Sequence, residues 1–241
     1  MKLFPTIEDN FRILLRAGAF EIKDEALQPM SNFKWNRLEE VATRLGVIGY
    51  IASGARCLAA DPALPDWKRD EAEEVYSASR AHMFNKYKAR AYEAIVDGEP
   101  HDIAPALDTL RLLRLIVAIA NDIVTDSLPL VGVIALGRML REEGDRMDYV
   151  KLEGWLKRLG VVQIASLQAS LLVELFGFTP DEFPYVHRFY GSPLKHYRHL
   201  LRSALENKTQ FSSVSRMNVA MSETISYHIG NFTSRIQNVE E

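Results

Sequence analysis

His196 and His199 stand at i, i+3, one helical turn apart, with His187 close before them, a spacing at which two imidazoles can share a metal ion. No acid or cysteine accompanies the pair, and Lys195, Arg198 and Arg202 crowd it with charge that repels a cation. The spacing therefore predicts a solvated basic helix face and no metal site. Asp122 and Asp126 are one turn apart and could work as paired carboxylates, but a cap for the helix that follows is the simpler role. Asp145 and Asp148 have the same reading ahead of Tyr149. Cys57, the single cysteine, falls on an apolar helix face, where it is expected to be buried as a small hydrophobe rather than used as a nucleophile. There is no Gly-Lys-Ser/Thr phosphate loop. No catalytic residue, metal ligand or cofactor is expected. What stands out is the basic stripe itself. Lys195, Arg198, His199 and Arg202 form a candidate interaction surface for an acidic protein, a phosphate-bearing partner or an anionic membrane face.

The elements that position these residues begin with a phrase the chain uses twice. Trp35 opens WNRLEEVATRLGVIGYIASGARCLA, and Tyr149 opens YVKLEGWLKRLGVVQIASLQASLLVELF. Laid over one another, they match at Leu38/Leu152, Glu39/Glu153, Arg44/Arg158, Leu45/Leu159, Gly46/Gly160, Val47/Val161, Ala55/Ala169 and Leu58/Leu172. Each is an amphipathic helix running into Leu-Gly-Val, with the glycine where a left-handed helix stop is needed and a second helix starting at once. The two units, around 35–60 and 149–176, read as a pseudo-repeat. The overlay puts Cys57 opposite Leu171.

Around the units, Thr6 and Asp9 open a first helix that should end near Gly18. Asp66 to Val96 reads as one long helix stopped by Asp97-Gly98-Glu99-Pro100, followed by helices over roughly Ile103–Val124 and Leu128–Glu143. Ser192-Pro193 opens a two-faced helix with Leu194, Tyr197, Leu201, Ala204 and Leu205 on its apolar side. Here Arg188, Lys195, Arg198, Arg202, Lys208 and Arg216 face one acid, Glu206. From Val214 to Val239 apolar residues recur at helical spacing, which predicts one long last helix with a thin seam. No alternating strand pattern bounded by hairpin turns occurs. The fold is expected to be all-α, with about nine to ten helices. Residues 1–186 make a helical domain of two related halves, and 187–241 make a basic amphipathic helix plus a long helix acting as an interaction tail.

The chain has 241 residues, 47% hydrophobic and 25% charged, with a net charge of −3, the balance of an ordinary globular protein. Charge so near zero makes nucleic acid an unlikely partner. One cysteine fits a reducing compartment, and Pro5 with nearby acids interrupts the place of a signal peptide. The most apolar window, Leu112 to Leu140, is cut by Asn121, Asp122, Asp126 and Pro129. A cytoplasmic protein is expected.

The stretch GDRMDYVKLEGWLKRLG at 144–160, with the apolar helix after it and Phe176-Gly177, resembles the helical carboxy-terminal part of a family of uncharacterised bacterial nucleotidyltransferases. Trp35 to Leu64 is similar to the helices that precede their catalytic sheet. That resemblance implies nucleotidyl transfer from a Gly-Ser or Gly-Gly at a helix start and an Asp-x-Asp/Glu pair holding Mg²⁺. Here the one Gly-Ser, Gly191-Ser192, has no such acidic pair after it, and helices occupy 66–124 where the sheet would lie. No catalytic residue is carried over. Residues from Glu223 to Glu241 resemble the tail of short proteins encoded beside bacterial surface-polysaccharide genes. The favoured expectation is a non-catalytic helical adaptor or regulatory protein in that setting, engaging a protein partner or itself through 187–241. The alternative is a divergent nucleotidyltransferase-related enzyme.

Overall fold

Every residue from Ile164 to Leu172 is buried, a run of burial longer than one face of a helix supplies. A helix buried on all sides belongs in the middle of a bundle, and five other helices of the described residues pack against this one. The computed structural model describes residues 5–65, 72–76, 86–98, 104–125 and 128–205. Among these the helices are α1 (Pro5–Phe20), α2 (Asn32–Arg44), α3 (Ile48–Cys57), α4 (Lys86–Gly98), α5 (Ala104–Thr125), α6 (Leu130–Glu143), α7 (Tyr149–Leu159), α8 (Val162–Phe176) and α9 (Pro193–Leu205). The described residues contain no strand, and the fold is all-α. The central α8 touches α1, α5, α6, α7 and α9. The seam over Val214–Val239 lies outside the described residues.

The repeated phrase folds the same way twice. Gly46 and Gly160 have φ of 65° and 68°. In the first unit the Gly46 amide donates to the Thr43 carbonyl and the Val47 amide to Ala42; in the second, Gly160 donates to Lys157 and Val161 to Leu156. Each is a Schellman stop, in which two amides beyond the helix satisfy carbonyls of its last turn. Val47 and Val161 are fully buried, so the chain turns inward at the stop and starts the next helix from the core. Asp148 caps α7 by accepting from the Lys151 amide at 2.9 Å, as its position ahead of Tyr149 suggests. The echo fails at Cys57, which is half-buried rather than in the core, while Leu171 is fully buried. The reason is length: α3 ends at Cys57, whereas α8 continues to Phe176, so the same register falls at a helix end in one copy and mid-helix in the other.

Helix α1 packs on α3 backbone to backbone. A Cβ on Gly18 would sit 1.8 Å from the Tyr50 carbonyl oxygen, and one on Gly54 2.0 Å from that of Leu14. At its carboxy end α1 passes Gly18 by two residues and stops at Phe20, with Glu21 at φ 57°. The loop beyond is tied back: Asn10, fully buried, exchanges two hydrogen bonds with the Gln28 backbone, at 2.8 Å and 2.9 Å. Arg12 and Arg16 both pair with Glu25, and the Arg12 hydrogen bond holds that carboxyl below its usual range.

The continuous helix expected over 66–96 is not formed. Ala72–Tyr76 runs as an irregular strap across α3, α5 and α6, and a helix resumes at Lys86. Tertiary contacts explain the strap better than propensity does. Gly49 lacks the side chain that would collide with the Ala72 carbonyl, 2.0 Å from the Cβ position. The Glu74 carbonyl accepts from the Tyr50 hydroxyl at 3.1 Å, Glu73 pairs with Arg138 at 2.8 Å, and the Tyr76 hydroxyl donates to Asp122. Asp122 is therefore a side-chain acceptor for the strap and not a cap. The α6 amino end has Pro129 at the cap position with no side-chain hydrogen bond, and Asp126 lies outside the described residues.

Candidate functional site

Among the described residues, the outer face of α9 and a pocket where α7 and α8 meet the loop that leads to α9 each gather charged side chains on a rigid support.

Helix α9 is docked by a wide buried arc of Pro193, His196, Tyr197, Leu200, Leu201, Ala204 and Leu205. Its position is fixed at its middle and at its carboxy end. The Arg198 guanidinium pairs with Glu8 of α1 at 2.7 Å, and Arg37 and Arg44 of α2 donate to the carbonyls of Leu205 and Ala204. Cations at a helix carboxy terminus satisfy orphan carbonyls and oppose the negative end of the dipole. The buried arc belongs to the same hydrophobic core as α1 and α8, so 193–205 is packed into the helical body rather than trailing from it.

The four residues of the stripe do not share one environment. Lys195, Arg198 and Arg202 are exposed, His199 is half-buried, and Arg198 is engaged with Glu8. His196 departs from the expected solvated face. It is 8% exposed, its ring 5.6 Å from that of Tyr190, and burial first, then the charges of His199 and Lys195, lower its pKa. The buried arc is wider than the Leu194–Tyr197–Leu201 stripe and is rotated toward His196 and Leu200. Leu194, placed on that stripe by spacing, is only half-buried.

The second place was not visible as a motif. Its parts come from the second repeat unit and from the loop that follows α8. Buried serines on α8 hold that loop down: the Ser166 hydroxyl donates to the Arg188 carbonyl at 2.5 Å, and Ser170 accepts from the Tyr190 amide at 2.7 Å. Beneath them the fully buried Gln168 donates to the Ile116 carbonyl of α5 at 3.1 Å. The loop is thereby fixed over the start of α8, and between them opens a pocket of about 490 Å³, a size typical of small-molecule sites.

Glu153 and Lys157 of α7 form one side of the pocket, Val162, Gln163 and Ser166 of α8 its base, and residues Tyr185 to Gly191 the other side. Glu153 is its charged pivot. Its carboxylate accepts from Lys157, one turn on, and from His187 Nε2 at 2.9 Å, and these two hydrogen bonds, Lys157 first, hold its pKa below the usual carboxylate range. With Arg188 exposed on the loop, two permanent cations and one titratable imidazole surround one anion. Deeper in, Tyr185 stacks on Tyr149 with ring centroids 6.0 Å apart and is 2% exposed. Its hydroxyl is buried with no hydrogen-bond partner among the described residues, and burial drives its pKa upward. An unpartnered buried hydroxyl costs about 1–3 kcal/mol.

Sequence reasoning placed His187 among candidate metal ligands and Glu153 and Lys157 in the repeat, but did not join them. The signal that could have joined them is the aromatic, polar run from Tyr185 to Tyr190, which is too rich in side-chain function for a plain connection. Among the described residues no group of three or more His, Cys, Asp or Glu could hold a metal ion, and no helix is long and apolar enough to cross a membrane. No family model matches the chain, and no curated protein or solved structure matches it.

Proposed function

We propose that this protein is a non-catalytic helical adaptor that presents the basic face of α9 to an acidic surface on a protein partner. The observation that carries this reading is the pairing of two features on one helix. Lys195, Arg198 and Arg202 are exposed along one side, the opposite side is buried, and the helix is tied to α1 through Arg198 and to α2 through Arg37 and Arg44. A charged stripe on a fixed helix loses little conformational freedom on binding, which favours specific recognition over loose attraction. The setting suggested by the resemblance of the tail is bacterial surface-polysaccharide production, so a protein of that machinery is the expected partner.

The test is affinity purification of the tagged full-length chain beside Lys195→Glu/Arg202→Glu. Both residues are exposed, so reversal leaves the core intact, whereas deleting residues from 187 onward would remove Tyr197, Leu200 and Leu201 from it. A partner recovered at low salt, lost as ionic strength rises and lost in the double variant is the expected result. Recovery of the same proteins with the reversed face would overturn the reading. Salt-sensitive sedimentation with anionic liposomes and no protein partner would replace it with membrane attachment.

A further inference from the structure

The pocket between α7, the start of α8 and the 185–191 loop is not used by the α9 reading. Two of its properties converge on one class of ligand. At its mouth, Lys157 and Arg188 outnumber Glu153, and Lys157 carries three donors of which Glu153 takes one. The local balance is positive even with His187 neutral, which selects an anion. The lining is then largely apolar, from Val162, Val186, Phe189 and the Tyr185 ring, and suits a flat hydrocarbon body. The pocket is also preformed. Ser166 and Ser170 fix the loop through buried hydrogen bonds, so little ordering is left for the ligand to impose.

We propose that this pocket binds a small aryl carboxylate. The carboxylate lies against Lys157 and Arg188, and the ring body against Val162, Phe189 and Tyr185. No bond is made or broken; the site is a binding site.

The probes are biphenyl-4-carboxylate and the matching cation 4-(aminomethyl)biphenyl, each titrated calorimetrically into the full chain. The acid is expected to bind and the amine not to bind. Lys157→Gln/Arg188→Gln should weaken the acid at least tenfold without moving the thermal melt, since both side chains are exposed. Absence of heat with the acid overturns the proposal, as does equal affinity for acid and amine. Binding indifferent to the Lys157/Arg188 change places the ligand elsewhere and overturns it too.

Discussion

A methyl group added at Gly160 and one added at Gly54 meet different obstacles. At Gly160 the penalty is conformational, because φ is 68° and the nearest atom is the end of the flexible Lys88 side chain, 2.6 Å from the Cβ position. Gly160→Ala is expected to cost about 1–2 kcal/mol, the usual price of a left-handed residue with a Cβ. At Gly54 the helix itself would welcome alanine, but the Leu14 carbonyl lies 2.0 Å from the new carbon and is backbone. Overpacking against an atom that cannot rotate away is expected to cost about 3 kcal/mol or more. Urea denaturation of the two variants decides the order, and equal losses would refute the backbone contact. The two glycines were not equally legible. Gly46 and Gly160 declare themselves by standing between two amphipathic patterns, whereas Gly18 and Gly54 matter through a crossing that no local pattern encodes. His196 was misassigned for a related reason: imidazole counts as polar in any periodicity, and only the neighbouring α8, α2 and the loop carrying Tyr190 decide how far around α9 burial extends. Its lowered pKa has a measurable consequence. The unfolded chain, with an ordinary histidine near 6.5, binds the proton more readily than the folded one. Stability from this group is therefore complete above that pH and is lost as pH falls from there toward the depressed folded value. His196→Phe, which keeps a ring against Tyr190, should flatten this part of the stability profile in melts taken between pH 7 and 5. An unchanged slope would show that His196 titrates as an exposed residue does.

At the scale of elements, helix starts and stops were the most readable part of the chain. Asp148 was identifiable as a cap, and Asp148→Ala should cost about 1 kcal/mol and lower the helicity of α7 in exchange measurements, with no loss elsewhere. What could not be read was the interruption of 66–96. Val75, an apolar position inside the helix expected there, is 92% exposed in the strap, while Glu73, Glu74 and Tyr76 make the contacts. Helix propensity is a weak prior, and here four tertiary anchors outweigh it. Cys57 shows the same limit: an echo between two units fixes register, but not where each helix ends.

For the molecule as a whole, the all-α class followed from periodicity alone, while the position of α8 at the centre followed from how continuously it is buried. The candidate pocket was legible only as fragments. Glu153, Lys157 and His187 come from two elements, and the serines that bring the loop to them are read from sequence as indifferent helix residues.

The glycine crossing also bears on the order in which the chain comes together. Leu14, Gly18, Tyr50 and Gly54 all lie far upstream of α9, so α1 can clasp α3 before α9 has been made. The surfaces that receive α9, with Glu8, Arg37 and Arg44 among them, must then wait uncovered until a helix near residue 200 arrives. In refolding followed by pulsed hydrogen exchange, amides of α1 and α3 should gain protection before those of α9. The face that waits for α9 is the one left open for a chaperone to meet.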